Sequence, residues 1–134
     1  MSQSNVYEVK RERRKSLFLQ EFSFLFQELL REEPSLIDVF VSKIDLSNDT
    51  GICYIYFSAI REPGEEVFNT ALATLKLYRP SLRKAFANRI KTRYAPDLIF
   101  VYDKAKEKER RINELLDKVS DELHPDGRPP VDDN

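Results

Sequence analysis

Two runs rich in β-branched and aromatic residues, Leu36–Leu46 and Ile52–Ile60, stand on either side of Ser47-Asn48-Asp49-Thr50-Gly51. A turn cluster between two such runs predicts an antiparallel hairpin, with Gly51 as the residue free to take positive φ. The rest of the chain has to be arranged around that pair. Leu98–Tyr102 is a short apolar run that supplies a third strand.

Between and around the strands the pattern turns helical. Over 10–31, Phe18, Leu19, Phe22, Leu25, Phe26, Leu29 and Leu30 fill one arc of a 100° wheel, with Ser16, Gln20, Ser23 and Gln27 opposite. Leu17 and Phe24 fall together outside that arc, and Pro34 closes the segment. After Glu62-Pro63-Gly64, Val67, Phe68, Ala71, Leu72 and Leu75 form a second apolar face, and Glu65 and Glu66 suit its first turn. Pro80 is expected to stop or kink this helix, leaving a further stretch, 81–93, with Leu82, Phe86 and Ile90 inward. From Lys104 a charged helix carries an Ile112, Leu115, Leu116, Val119, Leu123 stripe.

The order is thus α-β-β-α-α-β with an added C-terminal helix. A hairpin and a returning strand give a three-stranded sheet, and helices on one face make an α+β sandwich with one core. This order matches the type II K-homology (KH) arrangement. Residues 1–9 and 124–134 read as flexible and disordered tails around a KH-like domain spanning 10–123. A KH domain that clamps single strands carries a Gly-x-x-Gly loop between its paired helices. The only glycines here are Gly51, Gly64 and Gly127, so the junction Leu77-Tyr78-Arg79-Pro80-Ser81 has none.

Charge is where the average misleads. The 134 residues hold 22 basic and 23 acidic side chains, a net charge of −1. By segment, residues 1–27 carry +2, 28–66 carry −6, 67–96 carry +7 and 97–134 carry −4. The third block holds Lys76, Arg79, Arg83, Lys84, Arg89, Lys91 and Arg93 without one carboxylate. A second cluster, Lys10, Arg11, Arg13, Arg14 and Lys15, opens the first helix. Such a run is the field a phosphate backbone seeks.

Catalytic chemistry finds little support. The one histidine, His124, stands in the C-terminal tail, so triad and metal-ligand constellations lack a partner. There is no phosphate-cradling glycine loop. The single cysteine, Cys53, alternates with Ile55 and Phe57 and reads as a buried small hydrophobe. One cysteine excludes an internal disulfide framework, and no apolar stretch spans a bilayer or forms an export signal. The expectation is a soluble cytoplasmic protein without enzyme activity, metal or cofactor.

Several segments in order resemble the ribosome-binding factor A family: Gln27-Glu28-Leu29-Leu30 to Pro34, Val41 to Asp49, Tyr54-Ile55-Tyr56, Leu82-Arg83, Ala87 to Leu98, Phe100 to Asp103 and Arg111 to Leu116. The most specific is Arg93-Tyr94-Ala95-Pro96-Asp97-Leu98 running into a short strand that ends in Asp103. The resemblance covers roughly residues 10–118. It implies a type II KH-like fold without Gly-x-x-Gly, a helix–kink–helix whose usual Ala-x-Gly junction is here Tyr78-Arg79-Pro80, and no catalysis. It also implies binding to the 30S subunit and its 16S rRNA, with a role in late maturation of that RNA.

Under that reading Lys76, Arg79, Arg83, Lys84, Arg89, Lys91 and Arg93 contact phosphates on the helix–kink–helix side, and Lys10, Arg11, Arg13, Arg14 and Lys15 add a second contact. Arginine suits the task because its planar fork pairs two phosphate oxygens. Tyr78 is a candidate for stacking on an unpaired base and equally for a place in the core. The expected state is a monomer. The rival reading is a protein–protein adaptor acting through the charged C-terminal helix 104–123 and the Leu17/Phe24 pair.

Overall fold

The computed structural model describes residues 3–123, which form α1 (Gln3–Glu32), β1 (Val39–Leu46), β2 (Ile52–Ala59), α2 (Gly64–Ile90), β3 (Asp97–Tyr102) and α3 (Lys104–Leu123). The expected 124–134 tail lies outside them. The sheet order is β1-β2-β3. β1 and β2 pair antiparallel, with Ile44 opposite Ile55, and β2 and β3 pair parallel, with Ile55 opposite Phe100. The parallel pair requires a long crossover, and α2 is that crossover.

Alternation on the central strand places Cys53, Ile55 and Phe57 wholly inside, against the helices. From α1 come Phe18, Phe22, Leu25, Phe26 and Leu29, and from α2 Val67, Phe68, Ala71, Leu75, Leu82 and Phe86. Phe86 stands edge-on to Phe18 and Phe22, at 5.2 and 6.0 Å between ring centres. Phe57 meets Phe26 and Phe100 in the same way. Such edge-to-face pairs add roughly 0.5–1.5 kcal/mol each to the burial of their rings. Burial alone pushes the Cys53 thiol up to about 12, so it stays protonated at neutral pH.

Four local features differ from the sequence reading. Leu36 is buried, but in a 3₁₀ turn, Pro34–Asp38, with the proline at its start; the strand begins at Val39. Proline costs little there because a first-turn N–H has no helical partner. In the β1–β2 turn the left-handed residue is Thr50, at φ 59°, not Gly51. Asp49 holds that turn by accepting from the Ser47 hydroxyl and the Gly51 N–H, both at 2.9 Å. A Cβ on Gly51 would lie 3.1 Å from the Asp49 carboxylate, so glycine serves clearance there. α1 begins at Gln3 rather than at Lys10.

The fourth difference concerns α2: of the stop or kink expected at Pro80 the stop does not occur, since one helix runs from Gly64 to Ile90 with Pro80 inside it. Pro80 has no N–H to give the Lys76 carbonyl. The turns on either side stay anchored in the core by Leu75, Leu82 and Phe86. The helix stops instead at Lys91, which takes the left-handed conformation (φ 54°) and bonds back to the Ala87 carbonyl.

The chain divides after Asp103 into two compact units. No α3 residue is buried, and Leu115 and Leu116 are largely exposed.

Candidate nucleic-acid interface

The outer side of α2 follows from its inner side. On a 100° wheel Lys84 and Lys91 fall opposite the arc made by Val67, Ala71, Leu75 and Leu82, and Lys76 flanks them. All three lysines are exposed and make no ion pair among the described residues. At 1.5 Å rise per residue, Lys84 and Lys91 are about 10 Å apart along the helix.

The arginines of the same segment are held differently. Arg83 meets Asp97 at 3.1 Å and donates to the Ala95 and Pro96 carbonyls at 3.0 and 3.3 Å. Arg89 meets Glu21 of α1 at 2.5 Å, and its guanidinium sits 4.0 Å over the Phe24 ring. Arg79 is half-buried, with its guanidinium 5.1 Å from the Phe100 ring centre and its Nε unbonded. Phe24, set apart on the α1 wheel, is therefore the platform for Arg89, while Leu17 is exposed.

The N-terminal cluster is split in the same manner. Arg11 donates to the Leu46 carbonyl and reaches Asp45 at 3.7 Å, and Lys15 bridges Asp45 and Glu12 at 3.2 and 3.3 Å. These contacts raise the Lys15 pKa, Asp45 contributing most. Burial works against the Asp45 charge, but the Leu46 N–H, Lys15 and Arg11 outweigh it and hold the carboxyl below the ordinary range. Lys10, Arg13 and Arg14 are exposed and make no ion pair among the described residues; Arg14 donates to Thr50 Oγ1 at 3.0 Å.

Arg14 and Arg93, from the two basic clusters, line one cleft of about 600 Å³ between α1, the β1–β2 turn and the loop entering β3. Tyr94 lines it too, 76% exposed, with the Arg93 guanidinium 5.4 Å from its ring centre. The sequence offers Tyr78 either as a stacking aromatic or as a core residue, and the structure gives the second. The Tyr78 hydroxyl donates to Glu33 at 2.6 Å and its half-buried ring packs against the core; that bond to Glu33 raises its pKa. The available signal for Tyr94 was its place among the last cations of the carboxylate-free run. Among the described residues no His, Cys, Asp and Glu cluster is suited to a metal ion, and no helix is long and apolar enough to cross a membrane.

The sequence pattern of ribosome-binding factor A matches residues 10–116. The chain belongs to that family. Ribosome-binding factor A of Chromohalobacter salexigens is 34% identical over 100 residues, which are 75% of this chain and 76% of that protein. The Halothermothrix orenii protein is 31% identical over 100 residues, 73% of this chain and 80% of that one. The crystal structure of ribosome-binding factor A from Thermus thermophilus matches with a TM-score of 0.59 at 26% identity, over 69% of this chain and 94% of that chain. A Thermotoga maritima solution structure shares the fold at 21% identity and a TM-score of 0.62, covering 71% and 88%. Three helices and a mixed three-stranded sheet agree with the KH-like α+β fold expected of the family.

The segments that carry the family resemblance have visible work in this chain. Ala95 and Pro96 present the carbonyls that Arg83 binds, and the Asp97 N–H donates to the Gly51 carbonyl at 2.8 Å. Asp103 is buried at the end of β3 and accepts from the Ser42 hydroxyl at 2.7 Å, at the bulge between Val41 and Lys43. Both arrangements tie the ends of the sheet to α2 and β1.

Proposed function

We propose that this chain is a non-catalytic assembly factor that binds the free 30S subunit through its 16S rRNA and assists late maturation of that RNA in the cytoplasm, acting as a monomer. The observation that carries the reading is the open lysine side of α2: Lys76, Lys84 and Lys91 are exposed, unpaired with any carboxylate among the described residues, and lie in a segment without an acidic residue. Lys10, Arg13, Arg14 and Arg93 are further exposed cations without a carboxylate partner among the described residues. Family membership supports the ribosomal target. Phosphate contacts of this kind set position and orientation, and folded RNA is recognised mainly by shape.

The test is binding of the purified chain to purified small subunits at rising salt. If about five phosphates are neutralised, affinity falls by roughly two to three orders of magnitude between about 50 and 200 mM salt. A nearly flat salt response contradicts the reading.

A second reading rests on α3, whose Ile112, Leu115, Leu116, Val119 and Leu123 stripe is exposed. Under it α3 grips a protein partner. Replacing Leu115 and Leu116 by Gln then releases the chain from subunits; under the RNA reading binding is retained.

A further inference from the structure

The cleft shared by the two basic clusters combines features that docking on duplex phosphates does not need. Tyr94 places a large ring in solvent on a backbone that is tied down at both ends. On one side Thr92 N–H bonds to the Ala87 carbonyl and Thr92 Oγ1 to the Tyr94 carbonyl, at 3.4 and 2.6 Å. On the other, Arg83 holds the Ala95 and Pro96 carbonyls and Gly51 receives the Asp97 N–H. The ring is thus presented by an ordered loop while contributing no burial to the core.

The surroundings define what such a ring faces. Arg14 is oriented by Thr50, has no carboxylate partner among the described residues, and lines the cleft with Arg93. Leu17 and Ile90 supply apolar wall. Asp49 shares the rim, and its carboxylate is held ionised by the Gly51 N–H and the Ser47 hydroxyl, which turn it to its own turn. A phosphate is therefore excluded from the Asp49 side and favoured beside the arginines.

We propose that this cleft seats one unpaired nucleotide of the bound RNA, its base stacked on Tyr94 and its phosphate between Arg14 and Arg93. Aromatic stacking with flanking guanidinium groups is how proteins hold single-stranded RNA irrespective of sequence. Here it takes the place of a glycine clamp, at the opposite end of α2 from the helix start. The inference rests on the RNA-binding reading above and adds to it a single-stranded element.

The test uses the full chain, with a fluorescently labelled single-stranded RNA of about twelve nucleotides and the duplex of the same strand as probes. Tyr94→Ala weakens single-strand binding about tenfold, as expected for one lost stack, and leaves duplex binding within about twofold. Tyr94→Phe, which keeps the stack, binds as the parent does. Arg14→Gln weakens the single strand more than the duplex. The inference is overturned if the parent does not bind the single strand, if Tyr94→Ala binds it as the parent does, or if Tyr94→Phe loses as much as Tyr94→Ala. Salt-dependent binding to small subunits that persists through any of those results leaves the broader RNA reading standing. Loss of subunit binding by the parent itself removes both.

Discussion

Arg89 and Lys84 lie five residues apart on the same helix in the same carboxylate-free run, yet they do opposite things. Arg89 falls toward the buried arc and closes on Glu21 and Phe24 of α1. Lys84 points away and meets water. The N-terminal cluster repeats the contrast, with Arg11 and Lys15 drawn onto Asp45 and Lys10 and Arg13 left outside. A local count of cations therefore overstates the surface offered to a polyanion. What decides is the wheel position of each cation and whether a distant acid comes within reach of it.

The largest effect expected from this contrast is on binding. Reversing Lys76, Lys84 and Lys91 to Glu removes three phosphate partners and adds three repulsions. Subunit affinity at about 50 mM salt should fall by at least two orders of magnitude, with little change in thermal midpoint, because no partner within the fold is lost. A drop in midpoint would show these lysines to be structural and erase the distinction. Arg89→Ala should give the converse. It strands Glu21, which is only 19% exposed, and uncovers Phe24, so stability falls by about 1–2 kcal/mol in denaturant titration while RNA affinity changes little. Strong loss of RNA binding without destabilisation would move Arg89 to the open group.

The same distinction separates what the sequence made legible from what it did not. Periodicity was enough for the apolar faces of α1 and α2, the hairpin and β3, because burial of those faces is what the periods encode. Three local features were not legible from residue type alone. Pro80 was expected to stop or kink the helix, and the anchors on either side carry it through without a stop. Gly51 was expected at the left-handed position that Thr50 occupies, because the Asp49 hydrogen bonds set that turn. Leu36 was assigned to a strand although Pro34 starts a 3₁₀ turn there. The candidate interface was half legible: the cations were all present in the sequence, but Glu21–Arg89, Asp45–Arg11 and Asp97–Arg83 join residues far apart or on separate elements, which no local count detects. Tyr94 needed the fold as well, since its exposure depends on how its loop is tied.

Asp103 extends the lesson to acids. A carboxylate at the end of β3 in the family pattern invites a functional reading, whereas here it is buried and fixes Ser42 at the β1 bulge. Ser42→Ala should cost about 1 kcal/mol of stability and leave RNA affinity unchanged, since the lost hydroxyl serves only Asp103 and the Tyr56 carbonyl.

The smallest expected effect is on acid stability, and it concerns the inward half of the N-terminal cluster. The Asp45 carboxyl titrates below its unfolded value of 3.8 in the folded chain. A group depressed on folding contributes stability that is complete above the unfolded value and is lost as pH falls through the folded one. Asp45→Asn should therefore lower the thermal midpoint slightly at neutral pH and make the decline below about pH 4 shallower than in the parent. Lys15, raised above 10.5 mainly by the same carboxylate, gives the mirror case: its contribution is full below that value and fades as pH rises through the folded one. Arg13→Gln, on the exposed half, should leave both limbs of the stability profile where they are. If Arg13 and Lys15 variants shift those limbs alike, the two halves of the cluster are one electrostatic surface, and the division by burial and partner fails at this end of the molecule.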